Sequence, residues 1–389
     1  MIPYGHQDIT QADIDAVVQV MRSEYLTQGP AVPRFEQAVG ERVRARHAVA
    51  VNSATSALHI ACAALGLGPG DWLWTVPNTF VASANCGRYC GADVDFVDID
   101  PVTWNLSVPR LEEKLRQAET AGRLPRIVVP VHFAGQPTDQ EAIWDLAQRY
   151  GFKVLEDASH AVGAARNGEP IGSCRWSNIT VFSFHPVKIV TSGEGGMALT
   201  NDAELAARLR MLRSHGITRE PARFGPAPPA ARGAWYYEQQ LLGFNYRITD
   251  IQAALGASQM ERLASYVDRR NVLAGRYQRA LHDLPLRLPS VRAENRSAFH
   301  LYVIRLNAAG LSRTHREVFD ELRLQGIGVN LHYMPVHLQP YYRDRGFLPG
   351  QFPEAEAHGR EAITLPLFAG LSEETQDEVV GCVRRVLQG

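Results

Sequence analysis

Apolar residues along the chain recur in two alternating rhythms. At helical spacing, Ile14, Val17, Val18 and Met21 make one face of a helix over 11–23 with Thr10 as its N-cap, and a second helix is predicted over 32–44, beyond the break at Leu26-Thr27-Gln28-Gly29-Pro30. Short apolar runs then predict strands over 48–51, 72–76, 94–99, 127–130, 152–157, 178–184 and 197–200. Between and after them the helical period returns over 57–67, 81–90, 109–120, 141–150 and 204–214. This alternation predicts an α/β protein whose mostly parallel mixed sheet is flanked by helices on both faces. Past residue 200 the texture changes. Residues 218–234 are dense in proline and glycine, carry Arg219, Arg223 and Arg232, and predict an exposed loop or hairpin arm. A long linking helix is predicted over 249–284, then strands over 298–306 and 329–333 and helices over 315–325 and 372–387. The chain thus divides into a large domain, 1–248, and a smaller α+β domain, 249–389.

Composition narrows the class. With 389 residues, 45% of them hydrophobic and 21% charged, the chain can build a large core. A formal net charge of −1 gives no electrostatic reason to expect nucleic acid or an anionic membrane as partner. No apolar run approaches a membrane span, and Met1-Ile2-Pro3-Tyr4-Gly5 lacks the basic-then-apolar pattern of a secretory signal. Five scattered cysteines, of which Cys86 and Cys90 have no second pair to complete a metal site, read as core or surface thiols of a reduced, cytoplasmic protein.

The chemistry concentrates at predicted strand ends, where open α/β sheets place their sites. The run Ser183-Phe184-His185-Pro186-Val187-Lys188, closing at Gly193-Glu194-Gly195-Gly196, sets a lysine in a glycine-rich connection just past a strand. The chain has only three lysines. Lys114 falls on a charge-rich helix and is expected to be solvated, and Lys153 opens a strand at its wet end. If an amine nucleophile is used, Lys188 is the candidate, because arginine stays protonated. A P-loop is excluded, since no lysine follows a glycine; Gly66-Leu67-Gly68-Pro69-Gly70-Asp71 precedes a strand rather than opening a helix, so it is no dinucleotide fingerprint.

A pyridoxal phosphate site fits better. It needs a lysine for a Schiff base, a carboxylate to keep the pyridine nitrogen protonated, an aromatic face and phosphate donors. Lys188 is the amine and Asp157, at a strand end, the carboxylate. Phe80 is placed to stack on the ring, and Ser53, Thr55 and Ser183 to hold the phosphate. Each also has a plainer reading: Ser53 as an ordinary N-cap, Asp157 as a helix cap, Phe80 as core, and Ser183 as a partner for backbone. All four types falling at strand ends in one sheet is much less expected by accident.

Ser183 to Gly196 resembles the lysine signature of the DegT/StrS sugar-nucleotide aminotransferases, which have the PLP-dependent aminotransferase fold type I. Further segments are similar to that family's: Ile2 to Gly5, Leu26 to Pro30, Asn78-Thr79-Phe80, Val131-His132-Phe133-Ala134-Gly135-Gln136, Glu156-Asp157-Ala158 and Leu365-Pro366-Leu367-Phe368. The resemblance covers nearly the whole chain. It implies a homodimer with shared active sites, Asn245 reaching the phosphate of the neighbouring subunit's cofactor. It puts Ala54-Thr55 at a phosphate-binding Gly-Thr position, and His160 where a glutamine commonly contacts the cofactor ring oxygen. It leaves His185 as a pocket-lining residue before the lysine.

Trp235 to Glu238, Gly243 to Gln252 and His332 to Tyr342 resemble the pseudaminic-acid branch. These are UDP-4-amino-4,6-dideoxy-N-acetyl-β-L-altrosamine transaminases, which move an amino group from L-glutamate to C4 of a UDP-linked 4-keto-6-deoxy sugar. The resemblance implies a two-stage exchange in which Lys188 moves the proton. Substrate contacts are expected from Tyr4, His185, Tyr246, Arg247, His332 and Tyr333, with the arginines and aromatics of the 219–247 arm. The alternatives are an aminotransferase acting on another 3- or 4-keto nucleotide sugar, a dehydratase of the same fold, against which the retained lysine speaks, and a non-catalytic regulatory or binding protein that kept the fold.

Overall fold

The structure is a computed structural model that describes residues 1–226 and 233–388. Seven strands form the main sheet: β1 (His47–Val51), β2 (Trp72–Thr75), β3 (Asp93–Phe96), β4 (Ile127–Val128), β5 (Lys153–Asp157), β6 (Ile179–Ser183) and β7 (Gly196–Thr200). Their order is β1-β7-β6-β5-β4-β2-β3, and only β7 runs against its neighbours. The central strands β6 and β7 are buried at every residue, as strands covered on both faces must be, whereas the edge strand β3 alternates in exposure.

Because the parallel strands point the same way, the ends of β1, β5 and β6 come to one edge of the sheet. The antiparallel β7 brings its first residue there too, Gly196 pairing with Val51 and Ser183. Helices α1 (Gln11–Met21), α2 (Ala31–Val43), α3 (Ala54–Ala64) and α4 (Ala82–Tyr89) precede or link the first strands. Thr10 caps α1 through a capping box with Asp13. The arm is a hairpin in which Ile217–Thr218 pairs with Glu238–Gln239, and Arg232 lies outside the described residues. Toward the C-terminus, Leu286–Arg287, Tyr302–Leu306 and Ala362–Leu365 form an antiparallel three-stranded sheet over a separate apolar cluster that includes Tyr277, Ile304, Ile363 and Val383. The first residues of the chain join this half, Ile2–Pro3 pairing with Ile327–Gly328.

Several elements depart from the sequence pattern. The helix after β1 begins at Ala54, three residues before the apolar run, because Ser53 caps it by accepting from the Ser56 N–H at 3.1 Å. The long linking helix is two helices, Asp250–Met260 and Leu263–Leu281. The break falls where Ser258, Gln259 and Arg262 all converge on the buried carboxylate of Asp13, at 2.7, 2.8 and 2.6 Å. The strand expected from residue 298 starts at Tyr302, after Phe299 takes a left-handed φ of 44°. Residues 329–333 are irregular, with a cis His332–Tyr333 peptide and a single bridge from Asn330 to Thr364. Lys114 is not solvated. It pairs with Asp95 at 2.7 Å, donates to the Phe96 carbonyl at 2.6 Å and sits over the Trp74 ring.

Candidate active site

At the shared edge of the sheet lies a cavity of about 890 Å³, lined by residues from both halves of the chain. Lys188, Asp157, Ser183, Ser53, Ala54, Thr55, Phe80, His160, Tyr4, His185, His332 and Tyr333 all line it. The loop after β6 makes a turn, the Lys188 N–H donating to the His185 carbonyl, and delivers the lysine to the cavity. Burial pulls the Lys188 amine down to about 8, against the opposing pull of Asp157.

Asp157, the last residue of β5, is 5% exposed and held on both oxygens. Ser83 Oγ donates to Oδ2 at 2.6 Å, and the Ser159 N–H donates to Oδ1 at 3.1 Å. These bonds aim the carboxylate into the cavity. Ser83 itself exchanges a hydrogen bond with Thr79 at 2.8 Å.

The phosphate-type cradle is the start of α3. Its first backbone N–H groups have no intrahelical acceptors and carry the positive end of the helix dipole. Ser53 serves as the cap, its hydroxyl also meeting Ser56 Oγ at 3.1 Å, and both Ser53 and Thr55 line the cavity. Gly196 packs directly beneath: a Cβ there would come within 2.4 Å of the Ser53 carbonyl carbon and 2.6 Å of the Ala54 nitrogen. Asn52, beside the cradle, has a buried Oδ1 with no hydrogen-bond partner. An amine with a lowered pKa, a fixed carboxylate, an anion cradle closed to side chains from below and an unpaired polar atom in one cavity fit pyridoxal phosphate.

His160 lines the cavity with both ring nitrogens engaged. The Ala134 N–H donates to its Nδ1 at 3.3 Å, and its Nε2 meets the Tyr333 hydroxyl at 3.1 Å. A backbone N–H can only donate, so Nδ1 carries the lone pair and Nε2 the hydrogen. Both nitrogens are therefore engaged, and Tyr333 keeps its own phenol hydrogen to give. His332 Nδ1 meets Thr364 Oγ1 at 2.8 Å, and burial holds this imidazole down at about 3.

Three expected site residues are not in this cavity. Asn245 is exposed and its backbone bridges to Ser214; Arg247 is only partly buried; Tyr246 turns its hydroxyl to His59 Nδ1 at 3.1 Å and stacks on Phe244. In the arm, Arg223 pairs with Glu220 at 2.8 Å, and Arg219 lies over the Tyr237 ring. Two residues that sequence reasoning passed over do belong to the site. Ser83 was hidden inside a helix, although its spacing of four from Thr79 was visible. His300 stands 3.3 Å from the Lys188 amine and was hidden inside an apparent strand.

The sequence profile described as the DegT/DnrJ/EryC1/StrS aminotransferase family matches residues 7–384. The chain is 38% identical to the spore coat polysaccharide biosynthesis protein SpsC of Bacillus subtilis, covering 100% of this chain and 97% of that one. Its fold superposes on Helicobacter pylori PseC, an aminotransferase involved in the biosynthesis of pseudoaminic acid, with a TM-score of 0.90, 28% identity and 100% and 99% coverage. The PLP form of Spr1654 from Streptococcus pneumoniae gives 0.87 at 28% identity, with 99% of each chain covered.

Proposed function

The chain belongs to the DegT/DnrJ/EryC1/StrS aminotransferase family and is a PLP-dependent sugar aminotransferase, and from that premise we propose its substrates. The amino donor is L-glutamate, and the acceptor is C4 of a UDP-linked 4-keto-6-deoxy-N-acetylhexosamine, UDP-4-keto-6-deoxy-L-AltNAc, on the way to a pseudaminic-acid-type sugar. The observation that carries this reading is the end-to-end likeness to PseC. The higher identity to SpsC favours a second reading, the same chemistry on another 3- or 4-keto nucleotide sugar for a surface polysaccharide.

Bound pyridoxal phosphate supplies a ring that withdraws electrons from the carbon next to the reacting nitrogen. The residues do the rest. Asp157, fixed by Ser83 and the Ser159 N–H, keeps the pyridine nitrogen protonated. The N–H groups of Ala54 and Thr55, with Thr55 and Ser183 hydroxyls, hold the phosphate. Phe80, at the cavity wall, covers the ring. Lys188 removes the α-proton of glutamate and, in the second half, delivers a proton to C4 of the sugar. Tyr4, His185, His332 and Tyr333 line the side open to substrate. Asn245, Tyr246 and Arg247 act in the partner's site of a homodimer in the cytoplasm; the exposure of Asn245 supports this. Among the described residues no helix is long and apolar enough to cross a membrane.

The test is a coupled assay. Protein loaded with pyridoxal phosphate and L-glutamate receives UDP-4-keto-6-deoxy-L-AltNAc made in place, and the product is read by mass and NMR. A 4-amino sugar is expected. Loss of the cofactor's absorbance on adding glutamate, without amination of this sugar, would overturn the substrate and leave the chemistry standing.

A further inference from the structure

Nζ of Lys188 lies 3.3 Å from Nε2 of His300. A protonated amine has hydrogens to give and no lone pair, so at neutral pH this contact requires the lone pair on Nε2. The imidazole hydrogen then sits on Nδ1, and Nδ1 is buried with no hydrogen-bond partner. The tautomer that serves Lys188 is thus the one that leaves the other nitrogen unsatisfied.

His300 is held rigidly from outside the lysine loop. Buried Arg270 donates through Nη1 to the carbonyls of Phe299 and His300 at 3.2 Å each, and of Leu367 at 2.9 Å. Gly135, at φ 97°, lies so close behind that a Cβ on it would meet the Phe299 and His300 nitrogens at 2.9 Å. The charged and titratable groups around the amine are Asp157, His160, His300 and His332, with Arg270 behind His300. Burial and the charge of Lys188 hold His160 and His300 well below the ordinary imidazole value, so both stay neutral.

We propose that His300 is the positioning residue of Lys188: its Nε2 accepts from the amine, keeps it protonated against the pull of burial, and pins it to the wall formed by residues 298–301 until it reacts. This rests on Lys188 being the reactive amine. The segment carrying His300 belongs to the C-terminal half, so the resting place of the lysine is set by a part of the chain 112 residues away.

The chain's three lysines make the test direct. Full-length protein freed of cofactor and labelled with ¹³C and ¹⁵N in lysine and histidine is titrated by NMR. Lys188 is expected to titrate at about 8. In His300→Leu its midpoint falls by about one pH unit, a roughly tenfold loss of proton affinity. His300→Gln, whose side-chain carbonyl replaces Nε2 as acceptor, keeps the midpoint close to that of the parent. In the unaltered protein below pH 8, His300 is expected to carry its hydrogen on Nδ1. An unmoved midpoint in His300→Leu, an equal shift in the Leu and Gln variants, or a hydrogen on Nε2 below pH 8 would each overturn the proposal. The histidine signal decides the matter even where the Leu variant fails to fold. None of these signals needs the cofactor, so failure of the aminotransferase reading and failure of this one are separate results.

Discussion

His160 Nε2 donates to the Tyr333 hydroxyl at 3.1 Å, while the Ala134 N–H holds the other ring nitrogen at 3.3 Å. Both ring nitrogens are thus engaged within the chain, and Tyr333 is left with a hydrogen to offer the cavity. Burial and the nearby Lys188 and His332 keep His160 neutral well below its ordinary value. The activity profile should show no inflection from His160 between pH 6 and 8. His160→Ala leaves the half-buried Tyr333 hydroxyl without its donor, which should cost about 1 kcal/mol in urea unfolding. Tyr333→Phe should weaken binding of pyridoxal phosphate about fivefold to tenfold, measured by absorbance titration. Unchanged affinity in Tyr333→Phe would show that the phenol gives nothing to the cofactor.

Four buried imidazoles make the fold sensitive to acid. His160 and His300 are held well below 6.5, His332 lies at about 3 and His358 at about 4, burial being the leading cause in each. Unfolded, each takes up its proton near 6.5. Below that pH the unfolded chain binds more protons than the folded one, so stability falls as pH falls. The expected loss is about 1.4 kcal/mol per histidine per pH unit, starting below 6.5 and continuing to the folded values. Urea midpoints at pH 7.5, 6.5 and 5.5 measure it; a flat series would contradict neutral burial.

The alternation of strand and helix was legible because the central strands are short, apolar-rich and buried, and that places Lys188 and Asp157 at strand ends. Contacts between distant segments were not. His300 meets Lys188 only because Phe299 turns left-handed and Arg270 clamps the following carbonyls, and an apolar pattern carries neither fact. Lys114 looked solvated on a charged helix, yet Asp95 and the Phe96 carbonyl draw it inward. The break before Leu263 needed Asp13, near the other end of the chain. Local periodicity reports which face is buried, and it is silent on which polar groups meet inside.

Lys188 itself should cost stability in the cofactor-free protein. Burial lowers its amine from 10.5 to about 8. Between those values the unfolded state holds the extra proton, so stability rises with pH across that window and the full penalty is present below 8. A shift of this size corresponds to about 3 kcal/mol. Lys188→Met should stabilise the cofactor-free protein by about that amount at pH 7, with the advantage fading as pH approaches 10.5. The same variant should lose turnover by at least about a thousandfold. An inactive variant with no gain in stability would mean that the charge is better satisfied than its burial implies.

Gly135 wedges the site together, and that too can be measured. It ends the turn after β4 at φ 97°, and a Cβ there would sit 2.9 Å from each of three backbone atoms, the His160 carbonyl oxygen and the Phe299 and His300 nitrogens. None of these can rotate away, because the His160 and His300 segments both pass behind the same turn. Gly135→Ala must push them apart, breaking the approach of His300 to Lys188. The control is Gly151→Ala: its φ of 79° is also left-handed, but a Cβ there meets nothing within 4 Å. The control should cost about 1–2 kcal/mol, the price of the backbone conformation alone. Gly135→Ala should cost about 2 kcal/mol more through collision, and should also move the Lys188 titration, which the control leaves in place. Equal costs for the two variants, with the lysine unmoved in both, would mean that the turn yields and that its close approach does not set the place of His300.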